Sequence, residues 1–269
     1  MHPSLVSLIS SVLLISGVAT PALAQEAAKR ELDWVLTEIP ERKAILAMAD
    51  FDIGLSFATR CMDGQFDVTI HGLPEARGMT RALRITVNDE ESYESSWIIG
   101  TQRTTAFSRV PVRFARELAK GGTLQTRVPG ERNKPATRYV IDLPPSVSAV
   151  EQTLTSCGKS LVDLRYDTML DENLSGLPQG LVWKNEPRFS FPSPSGPMMS
   201  TVGYVSVSCG VTPELRPTDC QIESEYPAGF NFGREVLRKV SSGQLKLTGE
   251  NESLNPQATI LFNVNFRMY

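Results

Sequence analysis

Cys61, Cys157, Cys209 and Cys220 are the side chains of this sequence whose type and number promise covalent chemistry. They contain no Cys-x-x-Cys pair, and the only histidines are His2 and His71. A zinc site would lack its usual partners, so disulfides are the expected chemistry. Redox activity is not expected of Cys209 and Cys220. Both fall within strand patterns, whereas a low-pKa thiol needs a helix N-terminus or a neighbouring cation. Other catalytic groupings are weak. His71 is a lone histidine at the end of a predicted strand and reads as a strand-end residue rather than a base. Asp50 and Asp52 would share one strand face but lack a third ligand, so they read as a solvated strand start. Asp171-Glu172-Asn173 reads as polar loop. The chain has no Gly-x-Ser-x-Gly elbow, no phosphate loop and no Gly-x-Gly-x-x-Gly fingerprint. No enzymatic, cofactor or metal site is therefore expected.

The elements that must position the cysteines are strands and one helix. From Gly203 to Tyr226 the pattern is a hairpin. Val205, Val207, Cys209 and Val211 alternate with Tyr204, Ser206, Ser208 and Gly210. Across a Pro-flanked turn, Cys220 and Ile222 alternate with Asp219, Gln221 and Glu223. With Glu214 and Leu215 at the turn, Val207 faces Ile222 and Cys209 faces Cys220, at the Cβ spacing a disulfide needs. Pro144 and Pro145 open a predicted helix that places Val147, Val150 and Leu154 on one face. Cys157 follows on the same face and Gly158 stops the helix. Cys61, at the end of an early strand, is then the expected partner of Cys157.

The remaining chain reads as a β-rich first part and a small α+β second part. Helix is expected in part of the charged, Ala-rich stretch from Glu38 to Asp50. Strands follow at Phe66–Ile70, Ala82–Val87, Ser96–Ile99, Leu124–Val128 and Arg138–Leu143, with a helix at Val110–Ala119 stopped by Gly121-Gly122. Residues 161–195, with several prolines, read as a linker that packs only locally around Trp183 and Phe189. A helix near Phe230 presents Phe232, Val236, Leu237 and Val240 on one face and ends at Gly243. Ala258, Ile260, Phe262, Val264 and Phe266 alternate with Thr259, Leu261, Asn263 and Asn265 in a closing strand. The expected division is 1–24, 25–160, 161–195 and 196–269.

Residues 1–24 read as a cleaved signal peptide. Leu5 to Ala19 is apolar and Ala22-Leu23-Ala24 is a small-x-small cleavage site, although Met1 to Ser4 carries no Lys or Arg. The expected location is periplasmic, and an uncleaved anchor is the alternative. The formal net charge is −3 with basic and acidic residues interspersed. The concentrated basic patch that nucleic acid requires is absent from the sequence.

The last third resembles the C-terminal domain of the TonB family of periplasmic energy transducers, in its disulfide-bearing branch. The resemblance covers about 187–269 and rests on the Pro187–Pro192 approach, Gly203-Tyr204-Val205 and Thr218-Asp219-Cys220-Gln221-Ile222. It rests further on the segment from Ser224 to Gly233 and on Phe262-Asn263-Val264-Asn265-Phe266. Three features depart from that family. The turn carries Glu214-Leu215 rather than Asp-Gly, Leu5–Ala19 has no histidine, and a folded region stands where a long charged spacer would be. Residues 50–158 resemble the invasion-associated locus B type of secreted domain, through the strand ending at Cys61, the Arg113–Gly122 segment and the helix ending at Cys157.

The first resemblance implies a non-enzymatic binding or adaptor protein that takes a peptide segment of an envelope or outer-membrane partner by strand addition. The implied edge is the closing strand, with Thr259, Leu261, Asn263, Val264, Asn265 and Phe266. A homodimer through a sheet edge is a further possibility. An accessory transducer with an uncleaved anchor is the second reading, and an enzyme of unknown type the third.

Overall fold

The computed structural model describes residues 34–88, 90–130, 134–163, 165, 169–170, 177, 180–192, 201–248 and 258–268. The expected leader, 1–24, and Asp171-Glu172-Asn173 lie outside the described residues. The fold is α+β and rich in strand, as the patterns imply.

The first half is one antiparallel sheet. Its strands are β1 (Val35–Ile39), β2 (Ala44–Asp50), β3 (Ser56–Met62), β4 (Gln65–His71), β5 (Thr80–Val87), β6 (Tyr93–Ile99), β7 (Ala106–Ser108), β8 (Gly122–Val128) and β9 (Thr137–Leu143). They are ordered β1-β2-β3-β4-β7-β6-β5-β8-β9. Helices α1 (Pro111–Lys120) and α2 (Val147–Ser156) pack on each other, α1 also on β4 and α2 also on β2 and β3. Phe66, Val68, Ile70, Leu83, Ile85, Leu124, Val150 and Leu154 supply the buried sides of these patterns. The sheet curves around the helices far enough that the Trp34 indole, before β1, donates to the Pro144 carbonyl after β9 at 3.2 Å.

Two expectations fail here. The Glu38–Asp50 stretch is not helical but is β1, a short 3-10 turn and β2. Ala47 and Ala49 alternate into the core beside β3, so packing overrides the helical preference of alanine. Val147, expected on the buried face of its helix, is half exposed; Val150 and Leu154 carry the contact.

The second half has β10 (Met169–Leu170), β11 (Leu181–Asn185), β12 (Val202–Val211), β13 (Pro217–Tyr226), helix α3 (Phe232–Lys239), β14 (Gln244–Leu247) and β15 (Thr259–Arg267). One sheet runs β10-β15-β12-β13, and β11 pairs with β14 in a separate ribbon. The expected locally packed linker is therefore corrected. Leu181 lies in the second core, Trp183 meets Phe262 edge-on at 5.6 Å, and Phe189 lies 6.5 Å from Phe266. Aromatic burial outweighs the tendency of a Pro-rich stretch to stay solvated. Leu237 is likewise exposed, because Phe232, Val236 and Val240 alone follow the i, i+4, i+8 stripe that meets the sheet.

Phe232 organises the second core. It is fully buried, with Phe191 at 5.2 Å, Phe266 at 4.9 Å and Phe230 at 6.1 Å between ring centroids. Burial of such a ring stabilises by about 1.5–3 kcal/mol. Gly203 lies beneath it: a Cβ there would sit 2.5–2.6 Å from the Phe232 ring atoms. The N-terminus of α3 has no capping bond from its own Asn231 side chain. Instead the Glu225 carboxylate accepts from Phe230 N at 3.1 Å and Gly233 N at 2.9 Å, placing a negative charge at the positive end of the helix.

Both disulfides are formed, Cys61–Cys157 and Cys209–Cys220, with Cα separations of 5.5 and 4.1 Å. The hairpin register differs from strict alternation. Val207 faces Ile222 as expected, but β13 carries an extra residue at Glu223 and another at Asp219/Cys220. Asp219 has a positive φ of 45° there. The Arg165 guanidinium holds that bulge, donating to the Asp219 carbonyl at 2.6 Å and its carboxylate at 2.9 Å.

β12 and β15 join the two halves. Leu261 belongs to the first core, while Ile260, Phe262, Val264 and Phe266 belong to the second. Arg109, just before α1, donates to Asn265 at 3.2 Å and lies 5.6 Å over the Tyr204 ring. Its carbonyl accepts from the Ser224 hydroxyl at 2.8 Å.

Candidate functional site

β15 is paired along one edge and, among the described residues, unpaired along most of the other. On the inner side it pairs with β12 through nine consecutive residue pairs, Val202↔Arg267 to Gly210↔Thr259, without a bulge. On the outer side β10 pairs only with Thr259 and Ile260. Among the described residues, no strand pairs with the outer edge of Leu261–Arg267. Backbone N–H and C=O groups along such an edge are ready to pair with another chain.

The six residues implied by the sequence occupy different roles on this strand. Thr259, Leu261, Val264 and Phe266 are buried, Asn263 is half-buried and Asn265 is exposed. Leu261 and Asn265 face the first half, and Asn263 accepts from the Ser206 hydroxyl on β12. Val264 and Phe266 face the second core. Their side chains therefore support the strand, and it is the backbone that is available.

A groove of about 1020 Å³ runs beside the open edge, between Trp183–Phe189 with Phe191 on one wall and Phe262–Arg267 on the other. Trp183, Phe189 and Phe191 are each partly exposed there. The rim carries Lys184, Arg188 and Arg267 against the single carboxylate of Glu186. The three cations are exposed and form no ion pair with a described residue. The wall itself is tied to α3, where the Glu235 carboxylate accepts from Ser190 N at 3.1 Å and pairs with Arg238. Burial pushes the Glu235 carboxyl up, but the Arg238 and Ser190 hydrogen bonds outweigh it and hold the group below the usual carboxylate range. Sequence reasoning missed this wall, because β11 and β15 are far apart in the chain; the aromatics at 183, 189 and 191 were the available signal.

Among the smaller hollows, two bring shifted carboxyl groups to their walls. One of about 360 Å³ lies between the halves, with Arg60, Asp67 and Lys159 opposite Tyr226 and Pro227. Burial raises the Asp67 carboxyl, opposed by the Arg60 guanidinium at 2.6 Å. The other, of about 260 Å³, holds Trp97, Arg113 and Glu117. Burial raises Glu117, against a 2.7 Å hydrogen bond from the Tyr93 hydroxyl. Neither brings a nucleophile and base together.

The remaining sequence candidates are spread apart. His71 bonds Thr69 at 2.9 Å and Thr105 at 3.0 Å, and burial keeps it below the usual histidine range. Asp50 and Asp52 are exposed. Ser156 and Lys159 have a Ser-x-x-Lys spacing. The Ser156 hydroxyl donates to the Gln152 carbonyl at 2.8 Å, and the intervening Cys157 is bonded to Cys61. Among the described residues, no cluster of three or more His, Cys, Asp or Glu is placed to hold a metal. No described helix is long and apolar enough to cross a membrane.

Compared with family models, curated proteins and solved structures, the chain matches none of them.

Proposed function

We propose that this chain is a non-enzymatic binding or adaptor protein of the periplasm, and that it engages an extended segment of an envelope partner by strand addition to β15. The open edge of Leu261–Arg267, beside an aromatic-walled groove, carries this reading. An added strand gains main-chain hydrogen bonds from the edge and selectivity from pockets for its alternate side chains. The TonB-like residues of 187–269 point to the same edge. Two disulfides support an oxidising compartment. Mass spectrometry of the mature N-terminus tests the periplasmic reading: a chain beginning near Gln25 is expected, and retention of Met1–Ala24 would favour an anchored transducer.

The edge is tested by proline. Successive N–H groups of β15 alternate between its two sides, so Asn263→Pro and Val264→Pro remove one outward and one β12-facing donor. One variant should fold with Cys209–Cys220 intact yet lose the partner recovered by the wild-type protein. Undiminished recovery by that folded variant rejects β15 as the docking edge.

A further inference from the structure

We infer that the segment docked on β15 is acidic, with apolar residues at alternate positions. This deepens the strand-addition reading and rests on it. The groove rim holds Lys184, Arg188 and Arg267 against Glu186, a local charge of +2 in a chain whose net charge is −3. Dispersed surface charge would tend to follow the sign of the whole. Here the local sign is reversed, and none of the three cations is neutralised by a described residue.

Alternation completes the specification. A strand added to β15 continues the pleat, so every second side chain lies on the same face as Phe262, Val264 and Phe266. That face meets Trp183, Phe189 and Phe191, which contact those phenylalanines and line the groove. Apolar side chains fit there. Arg267 follows Phe266 and so projects to the opposite face, where the intervening positions of the added strand lie. Carboxylates at those positions meet Arg267, and Lys184 and Arg188 on the facing wall add to the positive field of the groove.

The same charges argue against a second copy of this chain as the occupant. Pairing β15 with β15 would bring two rims of like sign together, which opposes association. A partner of negative charge gains where a copy loses.

Three capped hexapeptides serve as probes: alternating Asp/Val, alternating Ser/Val and alternating Lys/Val. Binding to the full-length mature protein is measured by isothermal titration at low and at physiological salt. The positive rim should favour the Asp/Val over the Ser/Val peptide by about tenfold at low salt. The preference should shrink as the Debye length falls to about 8 Å. The double variant Lys184→Glu/Arg188→Glu should abolish or invert it. Both substitutions are at exposed positions, and circular dichroism establishes that the fold is kept. Equal affinity for all three peptides, with loss of all binding in the folded proline variant, would leave strand addition standing and overturn the acidic assignment. Preference for Lys/Val would overturn it too. Binding of none of them would overturn both readings. A concentration-dependent dimer that the folded proline variant abolishes would put a second copy at the edge and overturn the assignment.

Discussion

Replacing Gly203 by Ala tests whether Phe232 is held as tightly as its surroundings indicate. The new Cβ would meet Cε2 and Cζ of Phe232 at 2.5 Å and Cε1 at 2.6 Å. The ring cannot slide away freely, because Phe191, Phe230 and Phe266 flank it at centroid distances of 5.2, 6.1 and 4.9 Å. Overpacking of this kind costs about 2–3 kcal/mol. Alanine recovers about 0.5–1 kcal/mol as a better strand residue than glycine. The net destabilisation of Gly203→Ala should be about 1–2.5 kcal/mol. Phe232→Leu removes the three ring atoms concerned and should itself cost about 1–1.5 kcal/mol. If the collision is the cause, the two changes are not additive. The double variant should be about 0.5–1 kcal/mol less destabilised than Phe232→Leu alone, with a coupling of about 2–3 kcal/mol. Urea unfolding of the four proteins measures this directly. Additive losses would refute the steric account and mean that the glycine is needed for another reason. Because Phe232 touches Phe191 and Phe266 of the groove, the single Gly203→Ala variant should also bind the Asp/Val peptide more weakly.

Removing Cys61–Cys157 by alanine at both positions should cost more than removing Cys209–Cys220. The sequence separations are 96 and 11, which correspond to about 4–5 and about 2–3 kcal/mol of loop entropy. Reversed order in denaturant melts would contradict that account. Glu225→Ala should destabilise by about 1–2 kcal/mol, because the N–H groups of Phe230, before the helix, and of Gly233, in its first turn, lose their acceptor; Glu225→Gln should cost less, and equal losses would count against the cap. The Glu235 carboxyl titrates below its ordinary range. Its stabilising contribution is therefore present above that range and is lost as pH falls through the depressed value. Glu235→Gln should flatten the acid limb of the stability profile, and an unchanged limb would show that other groups govern it. A fragment of 196–269 lacks Leu181, Trp183 and Phe189 of the second core, so its amide spectrum should be poorly dispersed compared with that of 180–269.

What was readable in the sequence was local. The helix stop at Gly121, the end at Gly243 of the 3-10 turn Val240–Ser242 that follows α3, and the alternation of β8 and β15 each follow from a few neighbouring residues. The two disulfides were within reach because each cysteine sits on a patterned element. The rest depended on distant partners. β2 is a strand because β3 and β1 flank it, and nothing in its alanines announces that. The β11–β14 ribbon joins Leu181 to Leu247, and no periodicity spans that interval. The bulges at Asp219 and Glu223 leave strand composition unchanged, so only the pairing reveals them. The groove is the extreme case, since it exists only where the 183–191 segment comes to lie beside β15.

The bulges have a consequence for how many strands this sheet can take. β13 is irregular at two points, and Arg165 already occupies the Asp219 carbonyl. That margin is a poor template for a further strand. β15 is regular across its whole length. If β15 takes a strand as proposed, the sheet has a valence of one: a guest on β15 would not create a host at β13. Growth by edge-to-edge stacking would then stop at the first step, and an edge that could otherwise seed fibres would serve as a single, terminating socket.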